Sequence, residues 1–449
     1  MSRAVRYLFS RSHFFRQSVW HIAASGPAPR HPGAGVSPAR AAMDGDSQAR
    51  FDDAFELGER IGAGGLGTVH ACRARGKSNA KTPRDVPLVV KTVRVQQSIV
   101  GERVRADGSG RFDAEIRALR RLDACAERDS NAASAMFPSL VAAFSGEWLV
   151  EKRSEKIERS RVVARVVTTN PWGASSCDLS RLRAFARGRR CDENDENALE
   201  RFPESEARFY AAQIVVALRY LHACAKLVHG DVKPENVLVH RGTGAVALCD
   251  FDLARATDEE RVRCASEARS DDDRVACDDR GDVASRDAGG GGVVGTPEYV
   301  APEVARGVVA GATAQTDWYQ LGVLAFELVF GKTPFASPFG VVGVTLRAIE
   351  ANDLRFFDAL FAAAETRGRR DATRTKKSVA SVSFLRFARA LLEGDPGARL
   401  GDEDVRDADF FARVEWESLE RGGGGLADGA ARTRGARDRW LLFRAEERE

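Results

Sequence analysis

Between Val228 and Asp252 the chain reads V-H-G-D-V-K-P-E-N-V-L-V-H-R-G-T-G-A-V-A-L-C-D-F-D. Two acids, Asp231 and Asp250, enclose Lys233 and Asn236. Such a set suits phosphoryl transfer, where catalysis is mostly positioning plus neutralising charge around metal-bound phosphates. In that chemistry Asp231 orients the attacking hydroxyl, Lys233 faces the transferred phosphoryl, and Asn236 and Asp250 hold magnesium. A polar loop between two strands, Val237–Val239 and Val246–Cys249, accounts for one or two of these residues. It does not account for four of them in register with further motifs upstream and downstream.

The upstream motifs begin at Ile61-Gly62-Ala63-Gly64-Gly65-Leu66-Gly67-Thr68-Val69, a G-x-G-x-x-G-x-V pattern. Its glycines let backbone N–H groups approach phosphates where a side chain would block them. Such spacing also marks dinucleotide-binding turns, but those open a helix. Here Thr68-Val69-His70-Ala71-Cys72 continues as a second strand, so a hairpin lid is expected. Leu88-Val89-Val90-Lys91 is the next strand and ends its apolar run on a lysine. Only ten of the sixty-eight basic residues are lysines. Lys91 and Lys233 stand where a compact ammonium meets phosphate oxygens as a point charge. Arg111–Leu122 has helical periodicity, with Phe112, Ile116, Leu119 and Leu122 on one stripe and Glu115 alongside. Glu115 is open to two readings, a partner for Lys91 or an ordinary surface carboxylate.

Other elements must position these groups. Phe51–Arg60 reads as the approach to the first strand, and Val162–Val167 as a strand leading into Thr168-Thr169-Asn170-Pro171, a hinge whose backbone meets adenine. Phe202–Cys224 is a long helix before the Asp231 loop. Ala256–Gly292 is rich in Asp, Arg and Ser without hydrophobic period, and a mobile loop is expected. Order resumes at Val293 with V-V-G-T-P-E-Y-V-A-P-E, then an apolar helix from Asp317 and another at Ser383–Leu392. Segments near 76–86, 97–111, 126–136, 188–200 and 364–378 read as surface-loop insertions.

At 449 residues and 43% hydrophobic the chain can bury more than one core. No run reaches the roughly 18 apolar residues of a membrane span, so a soluble protein is expected. The eight cysteines have no C-x-x-C spacing, which gives neither a zinc site nor a disulfide framework. A net charge of +3 provides no argument for nucleic acid binding. Residues 1–43 hold six arginines and no acid. They read as an organellar transit peptide, as a disordered tail, or as sequence preceding a start at Met43. Cytoplasmic placement is the expectation, with organellar targeting by residues 1–43 as the alternative.

Together these motifs resemble a eukaryotic protein kinase of the AGC group, over residues from about 55 to 417. The details are similar to the plant and algal branch with the phototropin and PINOID kinases. The narrower likeness lies in Asp250-Phe251-Asp252, with Asp where Gly is usual, in R-F-Y-A-A-Q-I-V-V-A-L-R-Y-L-H at 208–222, and in the insertion before G-T-P-E-Y. With fewer than about sixty residues ahead of the domain in this sequence, a preceding light-sensing flavin domain is not expected.

The resemblance implies an α+β, bilobal fold, with a small mainly-β N-lobe at about 55–168 and a larger mainly-α C-lobe at about 171–417. Residues 1–54 would be a disordered or targeting extension, 256–292 an activation-segment insertion and 418–449 a C-terminal tail. It implies ATP and Mg2+ as cofactors, Ser/Thr transfer to proteins, and a monomer; an ATP-binding scaffold without transfer is the alternative. Ile61, Gly62, Gly64, Gly67 and Val69 would cover ATP, Lys91 would meet its phosphates with Glu115 holding Lys91, and Thr168 and Asn170 would meet its base. Asp231 would be the catalytic base, supported with the phosphoryl by Lys233 and Thr296; Asn236 and Asp250 would bind the metal. Asp178, Glu235 and Glu327 would receive arginines upstream of the acceptor, and Glu303 would pair with Arg399. Gly230 stands where regulated kinases carry an arginine, and Gly292 where they carry the phosphorylated Ser/Thr. Trp440–Phe443 resembles a hydrophobic motif that docks back on the small lobe, or else a short amphipathic end helix.

Overall fold

The computed structural model describes residues 47–64, 67–75, 87–100, 103–107, 109–128, 132–148, 161–171, 176–188, 201–240, 243–267, 295–308, 312–368 and 380–420. Residues 1–43, the insertion at 76–86, Gly292 and Trp440–Phe443 lie outside the described residues. The chain divides into two compact units. One holds the described residues up to Ser176 together with Asp250–Leu253; the other holds Cys177–Cys249 and the described residues from Ala254 onward.

In the first unit helix α1 (Ser47–Ala54) leads into the hairpin of β1 (Phe55–Gly64) and β2 (Gly67–Ala74). Then come β3 (Leu88–Val100), β4 (Arg103–Asp107), helix α2 (Ser109–Arg128), a 3-10 turn at Ala132–Met136, β5 (Leu140–Trp148) and β6 (Arg161–Thr169). The strands stand in the order β1-β2-β3-β6-β5, each neighbour antiparallel, and β4 pairs with the far end of β3. The described residues of segment 97–111, expected as a loop insertion, are therefore paired ends of β3 and β4 and the start of α2.

Alternation explains the start of β3: Leu88 and Val90 are buried on one face, while Val89 and Lys91 on the other are half-buried; Val93, on the Lys91 face, is buried as well. Leu88 and Val90 share a core with Phe51, Phe55, Cys72 and Val167. An eight-residue helix is too short to persist on its own propensity. Packing therefore holds α1, through Phe51 stacked on Phe55 at 5.6 Å, Phe144 edge-on to Phe51 at 5.5 Å, and Arg165 at 4.3 Å over the Phe51 ring. Residues 51–54, read from sequence as approach to a strand, are thus helical. Phe112, Ile116, Leu119 and Leu122 of α2 are all buried, the expected stripe.

The second unit runs through β7 (Ser176–Asp178), α3 (Leu179–Gly188), α4 (Glu204–Ala223), β8 (Leu227–Val228), β9 (Val237–His240), β10 (Val246–Leu248), β11 (Arg255–Ala256) and α5 (Asp258–Glu267). It continues with α6 (Pro302–Ala305), α7 (Ala314–Phe330), α8 (Val342–Ala351), α9 (Phe356–Gly368), α10 (Val382–Leu391) and α11 (Trp416–Glu420). Helix α5 corrects the expectation of a loop across the described part of 256–292.

Helix α7 is buried all round from Thr316 to Val329, as an apolar helix inside a core must be. A Thr313/Thr316 capping box starts it, and Gly331 at φ 78° ends it in the left-handed region. It packs closely on α10: a Cβ at Gly322 would lie 2.7 Å from the Leu391 side chain.

Candidate active site

The first unit gathers one group of charged residues. Lys91 lies mid-sheet, opposite Val69 on β2 and Val166 on β6. Its Nζ lies 3.1 Å from Glu115 of α2 and forms a shorter contact with Asp250. Asp252 stands 3.9 Å from the same nitrogen. Burial works against charge on Lys91, but Glu115, Asp250 and Asp252 outweigh it and hold its pKa well above the usual lysine value. Arg111, one turn before Glu115, reaches Asp252 at 3.6 Å. Three carboxylates thus face two cations, and Asp250, the most exposed of the three, has a left-handed backbone at φ 69°.

Gly62, Gly64 and Gly67 lie on the β1–β2 hairpin, where Gly64 pairs with Gly67 and Gly62 with Val69. Ile61 before them is buried. A Cβ at Gly67 would fall 2.0 Å from the Thr92 carbonyl oxygen, so that position admits only glycine. The segment expected as a hinge is partly strand. Thr168 pairs with Val89 and Leu140 within the sheet, and the Asn170 amide donates to the Pro87 carbonyl at 2.8 Å. Asn170 Oδ1 accepts from the Ser176 hydroxyl at 3.3 Å.

The second unit builds a separate constellation around Asp231, which is buried. Lys233 Nζ donates to Asp231 Oδ2 at 2.5 Å and to Thr296 Oγ1 at 2.8 Å. Asn236 Nδ2 donates to Asp231 Oδ2 at 3.1 Å and to its carbonyl at 2.8 Å. The Thr296 hydroxyl lies 3.4 Å from Oδ1. Lys233, Asn236 and Thr296 therefore all meet the one carboxylate of Asp231.

Helix α7 sets the backbone of this loop, which sequence reasoning missed. Asp317, fully buried, accepts from the amides of His229 and Gly230 and from His222 Nε2, all at 2.8 Å. Gln320, one turn on, accepts from the Val232 amide at 2.8 Å and donates to the Gly230 carbonyl at 2.9 Å. His229 Nδ1 accepts from the Asp231 amide at 3.3 Å, so the ring proton sits on Nε2, which donates to the Cys249 carbonyl at 3.2 Å. Gly230 takes φ 79°, which glycine adopts without penalty. The available signal was an acid at the start of an apolar helix, since a buried carboxylate must be paired.

Asp178 caps α3 by accepting from the Arg181 amide at 2.8 Å. Burial, with the nearby charge of Glu235, pushes its carboxyl up to about 6. Glu327 is buried and lies 2.5 Å from Arg183, and it also accepts from the Tyr299 hydroxyl. Its charge is therefore met within the chain. Glu303 and Arg399 form the expected ion pair, with both guanidinium nitrogens at 2.8 Å from the carboxylate.

Residues 185–411 match the protein kinase domain family. Protein kinase PINOID of Oryza sativa subsp. japonica is 32% identical over 381 residues, 80% of this chain and 66% of that protein. Phototropin-1A of the same plant is 34% identical over 235 residues, 49% of this chain and 22% of the relative. Serine/threonine-protein kinase nrc-2 of Neurospora crassa is 33% identical over 217 residues, 48% of this chain and 32% of the relative. The chain thus spans just under two thirds of PINOID and less of the other two. The matched family covers half the chain, its relatives are of the AGC type, and the catalytic-loop residues converge on one carboxylate: the chain belongs to the protein kinase family.

Proposed function

We propose that this chain is a Ser/Thr protein kinase that transfers the ATP γ-phosphate to hydroxyls of protein substrates in a basic sequence context. The observation that carries the reading is the Asp231 carboxylate, held by Lys233 and Asn236 on Oδ2 with Oδ1 less engaged. In this reading Asp231 Oδ1 takes the proton of the acceptor hydroxyl as its oxygen bonds to phosphorus and the bond to the β-phosphate oxygen breaks. Lys233, steadied by Thr296, meets the transferred phosphoryl oxygens.

Asp250, the most exposed of the carboxylates beside Lys91, offers the oxygen donors that a hard divalent cation binds. Asn236 and Asp250 would hold Mg2+, an assignment that rests on the motif. When bound, Mg2+ supplies neutralising charge at the phosphate oxygens. Lys91, oriented by Glu115, binds the ATP phosphates; Ile61, Gly62, Gly64, Gly67 and Val69 cover the nucleotide, and Thr168 and Asn170 lie towards its base. Asp178 and Glu235 receive the substrate's basic residue, and Glu327 contributes by holding Arg183 and Tyr299 in place.

Chain organisation follows the same reading: a kinase domain at about 55–417, with 418–449 as a tail. Among the described residues no helix is long and apolar enough to cross a membrane. The test is transfer of radiolabelled phosphate from Mg-ATP to an arginine-containing Ser peptide. Activity that Asp231→Ala abolishes supports the proposal. ATP binding without transfer would instead mark a scaffold.

A further inference from the structure

Helix α2 carries Arg111 and Glu115 at i and i+4, so both side chains leave the same face of the helix. Glu115 meets Lys91, and Arg111 meets Asp252. Asp252 Oδ2 serves both cations, at 3.6 Å from Arg111 and 3.9 Å from Lys91. These distances are those of ion pairs rather than hydrogen bonds. The Asp252 side chain is only 9% exposed, so its carboxylate is held largely away from water beside these two cations. Asp252 also follows Phe251, whose ring packs 6.2 Å from Phe137, so the turn that bears it is anchored in the same unit.

At the third position of this turn glycine is usual, and glycine offers no charge to helix α2. A kinase of the regulated kind draws its lysine–glutamate pair together when phosphate orders the activation segment against an arginine cluster. This chain has Gly230 at the arginine position of that cluster. We propose that Asp252 is a positioning residue: a built-in anion that clasps Arg111 and so holds helix α2, with Glu115, against Lys91. The arrangement supplies within the chain the negative charge that elsewhere arrives by phosphorylation. This inference rests on the kinase reading above.

The experiment uses the full chain after phosphatase treatment and compares Asp252→Asn, Arg111→Gln and the double variant. Steady-state transfer to a basic peptide and amide exchange across residues 109–128 are both followed. Each single variant is expected to lower kcat about tenfold, to leave the peptide KM unchanged and to speed exchange in α2; the double variant should lose no more than the worse single. Asp252→Glu, which keeps the charge, should retain most of the activity. Asp252→Gly replaces Asp252→Asn should the latter fail to fold.

Losses that multiply in the double variant, or singles with wild-type rate and exchange, would overturn the clasp. A wild-type protein that transfers phosphate to no peptide counts against the kinase reading instead. Exchange across 109–128 then decides the clasp alone: faster exchange in the singles, not compounded in the double, supports it, and unchanged exchange overturns it.

Discussion

Asp317→Ala tests how the core positions the catalytic loop. The carboxylate accepts three hydrogen bonds at 2.8 Å, two from the consecutive amides of His229 and Gly230 and one from His222. Truncation leaves those donors buried without an acceptor, at about 1–3 kcal/mol each. Releasing a buried carboxylate returns part of this, because its desolvation is no longer required. The net loss is about 3 kcal/mol, a large share of the roughly 5–15 kcal/mol that stabilises a domain. The melting temperature should fall by roughly 6–12 °C. With the loop displaced by about 1 Å, kcat should drop about a hundredfold at temperatures where the variant is still folded. Asp317→Asn keeps one acceptor oxygen and should lie between the two proteins. Calorimetry and single-turnover transfer decide the matter. A melting shift under about 2 °C, with kcat within about threefold of wild type, would refute the reasoning.

Lys91→Ala and Asp250→Asn should each leave less than about a tenth of the transfer activity with circular dichroism unchanged, because several kcal/mol of charge stabilisation are lost. Asp178 has its carboxyl pushed up to about 6, so it is charged above that pH and neutral below it. The KM for an arginine-containing peptide should therefore rise as pH falls from about 7 to 5, and Asp178→Asn should flatten that profile; a parallel profile in the variant would remove Asp178 from substrate binding. Phe51→Ala should destabilise the β-sheet unit by about 3 kcal/mol, read by denaturant titration, and a loss below about 1 kcal/mol would mean that α1 does not contribute to the core. Phosphatase treatment should leave peptide phosphorylation intact; a large drop traced to a site between Asp252 and Glu303 would contradict this.

What could be read from the sequence depended on how close the cooperating residues lie along the chain. Asp231, Lys233 and Asn236 are neighbours in one loop, and their convergence was legible from spacing alone. Lys91 stood out as a lysine closing an apolar strand, and Glu115 as an acid beside an apolar helical stripe, but their pairing was read from the kinase resemblance. The supports of the loop were hidden, because Asp317 and Gln320 act across 87 to 90 residues of chain. Helix α5 was missed because little apolar period marks it. Three acids in its first turn, and the Arg261–Asp258 and Arg263–Glu260 pairs at 3.2 and 2.8 Å, stabilise it instead. The β3–β4 pairing was missed because polar residues such as Gln96, Gln97 and Ser98 interrupt the hydrophobic signal there, although the ladder is continuous from Gln96 to Val100.

The bonds from α7 to the Asp231 loop also bear on how the protein loses activity on heating. The loop borrows its backbone acceptors from the most buried helix of its unit, so it has no conformation of its own to keep once that helix lets go. Nor can it fray early, since freeing the His229 and Gly230 amides would leave the buried Asp317 carboxylate with His222 in place of three donors. Thermal inactivation and global melting of the helical unit should therefore share one transition, with no warm, folded and idle species between them. An enzyme assembled this way fails all at once, and its working range is set by its core rather than by its loop.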